Sequence, residues 1–248
     1  GDEFGICTAM SSNGNILAIG SPKHDTNGNK SGLAQVFTLV NNEWIQLGNN
    51  ILGTSSGDTF GYSISLSSDG TVLAVGAPNF NGPGNDIGQV RIFNLVNNIW
   101  VQIGNNINGS SDDNFLGASV SLSADGNTIV IGAPGYILNS SQPGQVKVFN
   151  LVSENWVQLG GNIDGNLNDN FFGNYVIISS DGNKIAIADF NYELDVNKVG
   201  KVKIYSLSGG IWTQLGDTIN GQLSEDNRRH YLSFNTDGTV LAIGIPGS

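Results

Sequence analysis

Hydrophobic and polar residues alternate along this chain in short runs that recur on a fixed schedule. Between Phe115 and Gly160, the run Ala118-Ser119-Val120-Ser121-Leu122-Ser123 has a period of two, placing Val120 and Leu122 on one face of a strand and the serines on the other. Ala124-Asp125-Gly126-Asn127 predicts a turn, since Asp can bond its own backbone and Gly supplies a positive φ. Thr128 to Ala133 (TIVIGA) is apolar on both faces and predicts a strand buried on both. Gly144 to Leu151 (GQVKVFNL) predicts a third strand, with Val146 and Val148 opposed to Lys147 and Phe149. After the turn Ser153-Glu154-Asn155, Trp156-Val157-Gln158-Leu159 makes a fourth. No window carries a helical period.

The pattern repeats along the whole chain. Trp44, Trp100, Trp156 and Trp212 stand 56 residues apart, and Gly14, Gly70, Gly126, Gly182 and Gly238 keep the same step, so even the loops hold their length. Such a period marks a repeat architecture. The units cover approximately 4–59, 60–115, 116–171 and 172–227, with a partial unit at 228–248. Four antiparallel strands per unit, with small residues such as Ser119, Ser121 and Gly132 on the inner strands, predict an all-β chain. The fold is one β-propeller domain over 1–248, with four complete 56-residue four-stranded blades and a partial fifth. The tryptophans are expected to cover the seams between blades. Five inner strand pairs against four outer pairs leave two readings: a five-bladed ring with a half-built blade, or an excerpt of a propeller with six or seven.

Composition narrows the function classes. Charged residues are 12% of the chain against 35 glycines and 39% hydrophobic residues, a balance that suits an extended packed core rather than disorder. The net charge is −11, and Arg228-Arg229 is the one basic cluster, which excludes nucleic acid and anionic membranes as partners. No apolar run approaches the roughly 18 residues of a membrane span, so no membrane insertion is expected. The chain opens on GDEFGI, inside the repeat pattern, so no signal peptide is visible; either one was removed or the sequence is an excerpt. The single Cys7 excludes an internal disulfide and reads as a small buried residue of an inner strand.

Phe4-Gly5, Phe60-Gly61 and Phe172-Gly173 precede first strands, and second strands end in Gly20-Ser21-Pro22, Gly76-Ala77-Pro78 and Gly132-Ala133-Pro134. Together these motifs resemble FG-GAP repeats, the units of integrin α-subunit propellers. They are closer still to the FG-GAP-like arrays of secreted bacterial and large-virus proteins that carry a W-x-Q-x-G strand. The resemblance covers essentially the whole chain and implies an extracellular or surface-exposed location, on a secreted bacterial protein or a virion. Several integrin-type repeats hold Ca²⁺ through D-x-D-x-D-G-x-x-D between the first two strands. Here the stretch reads Ser65-Leu66-Ser67-Ser68-Asp69-Gly70 and Ser121-Leu122-Ser123-Ala124-Asp125-Gly126, with Leu73 or Ile129 at the later position. One carboxylate does not supply the clustered oxygens that calcium needs. No metal and no other cofactor is expected, and Asp69, Asp125, Asp181 and Asp237 read as turn residues. The fourth copy departs from Gly-Ala-Pro with Ala188-Asp189-Phe190, and the fifth has Arg228-Arg229-His230 where Phe-Gly and the next residue should stand.

Strand direction sorts the loops onto two faces, and on one of them the copies stop agreeing. The second-to-third strand loops read Lys23-His24-Asp25-Thr26, Asn79-Phe80-Asn81-Gly82, Gly135-Tyr136-Ile137-Leu138 and Asn191-Tyr192-Glu193-Leu194. Large apolar side chains at loop tips are costly in water unless they pack locally or bind something. The candidate ligand-binding residues are therefore Phe80, Tyr136, Ile137, Leu138 and Tyr192, with Arg228 and His230 adding polarity. Asp58, Asp112, Asp113, Asp164, Asp169, Glu225 and Asp226 make the blade-to-blade loops acidic and read as solubilising. His24 reads as a lone exposed loop histidine. Three acceptor sequons, Asn29-Lys30-Ser31, Asn108-Gly109-Ser110 and Asn139-Ser140-Ser141, fall in loops and would carry sugar only on a eukaryotic secretory route. The first strands carry no acid and no Ser-His-Asp order appears, so no enzyme is expected. The reading is a non-enzymatic surface binding or adhesion module for a protein or glycan. The alternative is a structural, self-assembling unit of a surface layer, fibre or virion, with a glycan-active propeller enzyme third.

Overall fold

A computed structural model describes residues 1–135, 143–166, 171–189, 200–221 and 231–244. The first sheet holds β1 (Thr8–Met10), β2 (Ile16–Ser21), β3 (Leu33–Val40), β4 (Glu43–Gln46) and the short β5 (Ile51–Leu52). The second repeats this as β6 (Ser63–Leu66), β7 (Val72–Ala77), β8 (Gln89–Val96), β9 (Ile99–Gln102) and β10 (Ile107–Asn108). The third holds β11 (Ser119–Leu122), β12 (Thr128–Ala133), β13 (Gln145–Val152), β14 (Asn155–Gln158) and β15 (Ile163–Asp164). The fourth holds β16 (Tyr175–Ile178), β17 (Lys184–Asp189), β18 (Lys201–Ser208), β19 (Ile211–Gln214) and β20 (Ile219–Asn220). A fifth sheet has two strands, β21 (Tyr231–Phe234) and β22 (Leu241–Gly244). Every pairing between these strands is antiparallel, and each complete sheet runs through its four main strands in chain order. The two-residue fifth strands, which the alternation pattern was too short to reveal, pair with the start of the third strand.

The third-to-fourth strand turns are two-residue hairpins with both central residues at positive φ: Asn41-Asn42, Asn97-Asn98, Ser153-Glu154 and Gly209-Gly210. This geometry follows the strand twist and favours Asn and Gly. Ser153 (φ 48°) and Glu154 (φ 63°) are the unfavourable pair among the four. Replacing them together by Asn-Gly should stabilise the chain by about 1 kcal/mol, read from the shift of its denaturation midpoint.

Each seam between consecutive sheets encloses its own core. The first combines Ala18, Val36 and Ile51 with Leu73, Val75, Phe93 and Trp100, and the next two seams repeat the set with their own residues. Phe60, Leu116 and Phe172, almost wholly buried, plug successive seams. The serines that alternate with apolar residues on the first strands are bridges between blades. Ser65 Oγ accepts from Leu122 N at 2.9 Å, Ser119 Oγ from Val176 N at 3.0 Å and Ser121 Oγ from Ile178 N at 3.2 Å. Their small size reflects this bonding across the seam as much as crowding at an axis.

The tryptophans close the outer part of each seam. The indole N–H of Trp100 donates to the Leu47 carbonyl at 3.0 Å, that of Trp156 to Ile103 at 3.1 Å and that of Trp212 to Leu159 at 2.9 Å. The glycine ending each W-x-Q-x-G leaves room for the ring: a Cβ on Gly48, Gly104 or Gly160 would lie 2.8, 2.6 or 2.9 Å from Cδ1 of the next blade's Trp. Trp100 and Trp212 are 4% and 8% exposed, whereas Trp44, in the first described sheet, is 43% exposed.

Candidate functional site

The variable loops lie on the face where each second-to-third strand loop meets the connection to the next blade. These two segments are laced together by backbone bonds. Gly57 N, Thr59 N and Phe60 N donate to the carbonyls of Asn29, Lys30 and Ser31, and one blade on Asp113 N, Phe115 N and Leu116 N donate to Asn85, Asp86 and Ile87. Side chains extend the lacing. Thr59 Oγ1 donates to Asn79 Oδ1 at 2.9 Å, and Asn79 Nδ2 donates to Asp86 Oδ1 at 3.1 Å. The result is a fixed loop platform rather than a set of free tips.

Phe80 belongs to that platform. Its ring is half-buried and packs against the core of the first seam, so it stabilises its own loop as well as facing outward. Tyr136, Ile137, Leu138, Tyr192, Arg228 and His230 lie outside the described residues. Two expectations for the loops change. His24 is half-buried, with Nδ1 2.9 Å from Thr26 Oγ1, because its ring closes the loop's own turn. Asp58 is 2% exposed and accepts from Thr54 Oγ1 at 2.9 Å and Ser55 N at 2.8 Å, so it folds its loop instead of solubilising it.

Asp58 also faces a cation that the alternation pattern did not single out. The Arg91 guanidinium lies 5.1 Å from the Phe60 ring centre and 5.0 Å from that of Phe93, and Nη1 donates to the Leu52 carbonyl at 2.9 Å. Burial pulls its pKa down and the negative field of Asp58 pulls it back. Lys203 repeats the stack, with Nζ 5.3 Å from the Phe172 ring centre. The signal was present as a basic residue at the same register of three third strands, Arg91, Lys147 and Lys203. Cation and aromatic plug together hold the seam beneath the loop platform.

On the opposite face the Asp-Gly turns form a linked row. Ser12 N donates to Ser68 O at 2.9 Å, Ser68 N to Ala124 O at 2.9 Å and Ala124 N to Ser180 O at 3.0 Å. Within each turn the carboxylate is engaged locally: Ser67 Oγ donates to Asp69 at 2.6 Å, Ser123 Oγ to Asp125 at 2.6 Å and Ser179 Oγ to Asp181 at 2.5 Å. Among the described residues, no group of three or more His, Cys, Asp or Glu is placed to hold a metal ion. Burial works against ionisation of Asp69 and Asp125, but the bonds from Ser67 and Thr71, and from Ser123 and Asn127, outweigh it and hold both carboxyls below the usual range. At Asp181 the Ser179 bond leads and the carboxyl is likewise depressed. A carboxyl depressed on folding leaves the unfolded chain with more bound protons, so its contribution is complete above the unfolded value of about 3.9 and fades as pH falls through the folded value. The melting temperature should therefore drop below about pH 4, and the triple variant Asp69→Asn, Asp125→Asn, Asp181→Asn should show a shallower drop in acid scans.

Cys7 occupies the register of Ser63 and bonds in the same way, its Sγ donating to Gly61 O at 3.1 Å as Ser63 Oγ donates to Gly117 O at 2.7 Å. Burial pushes the thiol up to about 12, against the smaller pull of a hydrogen bond from the Gly20 backbone, so it stays protonated at neutral pH and is a poor nucleophile.

Inner strands β1, β6, β11, β16 and β21 pack on one another in succession, so each sheet stands as one blade beside the next. Solved structures share this arrangement. The chain is similar to the Dos1 propeller (TM-score 0.55, 12% identity, covering 97% of this chain and 52% of that one). It is also similar to a putative 6-phosphogluconolactonase from Bacteroides uniformis ATCC 8492 (0.54, 12%, 96% and 77%). The tricorn protease matches with TM-score 0.52 at 9% identity, over 96% of this chain and 24% of that one. The fold is a β-propeller. No family model and no curated protein matches the sequence. At these identities the likeness extends to the propeller alone, and this chain spans about half the length of the Dos1 propeller (52%). The propeller shows no helix among its described residues long and apolar enough to cross a membrane.

Proposed function

We propose that this is an FG-GAP-type propeller that works as a non-enzymatic binding module on an extracellular or virion surface, taking a protein or glycan on its variable-loop face. The observation that carries the reading is the contrast between a scaffold repeated without a single length change and second-to-third strand loops that differ in every copy. Backbone lacing at 22–32 and 78–88 supports it, because loops held in place lose little conformational freedom on binding. The lactonase-like and protease neighbours share a fold that hosts unrelated activities, and at 12% and 9% identity they carry no activity over to this chain. Binding needs neither metal nor cofactor in this reading.

A screen against glycans and surface proteins, with and without Ca²⁺, tests the proposal. Once a ligand is found, Tyr136→Ala with Tyr192→Ala should weaken it by at least about 1 kcal/mol while leaving the melting temperature nearly unchanged. A large drop in melting temperature instead would make those rings packing residues. Phe80→Ala should lower stability, given its contact with the seam core. The structural reading draws on a different surface: Val96, Ile99 and Val101 are exposed at the rim of the second blade, and Val152 and Val157 repeat them on the third. Assembly through that rim would appear as concentration-dependent association in sedimentation.

A further inference from the structure

Asn-Gly steps occur at Asn13, Asn27, Asn81, Asn108 and Asn220, and one of them stands apart. An asparagine before glycine can be attacked by the glycine's own backbone nitrogen, because no side chain shields the approach. The attack needs that N–H free. Gly14 N donates to Ser11 O at 2.9 Å, Gly28 N to Asp25 O at 3.2 Å, Gly109 N to Gly88 O at 2.9 Å and Gly221 N to Gly200 O at 2.8 Å. Gly82 N donates to nothing among the described residues, nor do Asn81 N and Gly84 N on either side of it. Gly82 is also exposed, whereas the other four glycines are half-buried. The Asn81 side chain completes the contrast. Its Oδ1 accepts from Asp86 N at 2.8 Å, while among the described residues its Nδ2 donates to nothing. The corresponding nitrogen of Asn27 is held by Gly53 O at 2.8 Å, and Asn108 Oδ1 is held by Gln89 Nε2 at 3.0 Å within its sheet.

We propose that Asn81 is a site of self-modification, converting to aspartate or isoaspartate faster than any other Asn-Gly step of the folded chain. Gly82 N gives its proton to solvent and bonds to Asn81 Cγ. The Cγ–Nδ2 bond breaks, and that nitrogen takes up a proton from water and leaves as ammonia. The cyclic imide then adds water at either carbonyl. Opening on one side restores the main chain with an aspartate; opening on the other routes the main chain through the side-chain carbons as isoaspartate. Negative charge gathers on Oδ1 during the attack, where the Asp86 N–H already donates. Either product puts a new carboxylate into a loop pair that holds Asp86 and Asp112, directly after Phe80. Isoaspartate also lengthens the loop's main chain by one carbon. A loop of the variable face thus changes its charge and its path with the age of the molecule, whatever that face binds.

The test incubates the 248-residue chain in mildly alkaline buffer, folded in one arm and denatured in urea in the other, and follows each Asn-Gly step by proteolysis and mass spectrometry. Conversion replaces an amide NH₂ by OH, which the peptide mass reports, and isoaspartate is counted separately by enzymatic methylation. The quantity compared is the folded rate divided by the denatured rate at each step, which cancels the influence of neighbouring sequence. That ratio should be at least about tenfold higher at Asn81 than at Asn13, Asn27, Asn108 or Asn220, whose glycine N–H bonds must first open. Any other step ranking first, or an Asn81 that stays intact in the folded chain while the denatured chain converts, would overturn the proposal.

Discussion

Trp100→Ala should cost about 3–5 kcal/mol of stability in chemical denaturation, whereas Trp44→Ala should cost less than about 1. The two residues hold the same place in consecutive repeats and differ in their burial among the described residues. Trp100 fills the first seam at 4% exposure, donates its indole proton to Leu47 O, and has its own backbone N–H capped by Asn49 Oδ1 at 2.9 Å. Its removal leaves a cavity between two blades and an orphaned carbonyl. Trp44 meets no such socket among the described residues, and 43% of its surface already faces water. Equal losses for the two variants would mean that the tryptophans stabilise their own blades rather than the contacts between them.

Gly132→Ala should be nearly as damaging, at about 3 kcal/mol, because one methyl group meets backbone that cannot turn aside. A Cβ on Gly132 would fall inside the van der Waals envelope of the Gly173 carbonyl oxygen, as one on Gly76 would with Gly117 and one on Gly20 with Gly61. The glycine of one blade's Gly-x-Pro and the glycine of the next blade's Phe-Gly or Leu-Gly are two sides of one contact. Gly161→Ala, at a position with nothing within 4 Å, should change stability by no more than about 0.5 kcal/mol and controls for the substitution itself. Thermal melts of the two variants side by side give the comparison.

Two departures from the motif fall at paired positions of the repeat. Ala188 replaces the second-strand glycine of the fourth copy, and Arg228-Arg229 replaces the Phe-Gly one blade later. By the repeat register these positions correspond to Gly132 and to Phe172-Gly173 of the preceding repeats. The partner position lies outside the described residues.

What the sequence made legible was whatever repeats. Strict alternation around Ser119–Leu122 and the apolar run Thr128–Ala133 located the inner strands, and the tryptophan spacing located the seams. Features that act across seams were harder to read, because no local pattern reports a bond to a residue more than fifty positions away. Ser65 read as a serine standing where a calcium-binding carboxylate would be, yet its hydroxyl accepts from Leu122. Asp58 counted as loop charge until its neighbours Thr54 and Ser55 were seen to enclose it. Arg91 was hidden because its partners lie well back in the sequence, Leu52 in the first sheet and Phe60 in the connection between the first two sheets. For the candidate site, the loops' divergence was visible but the lacing was not, and lacing is what separates a platform from free tips.

The seam contacts have a consequence for heredity. Trp to carbonyl spans 53 residues, first-strand serine or cysteine to carbonyl spans 54, and first-strand serine to amide spans 57, at each seam where the contact is formed. A recombination between misaligned copies that removes or adds one 56-residue unit restores every one of these separations, wherever within the unit the crossover falls. Such an event changes the number of blades and reshuffles the variable loops, yet every new seam keeps the separations of the existing ones. A gene of this design can alter its blade count and its loop repertoire in a single step, while a change of even one residue in the length of a repeat would fall out of step with both neighbours.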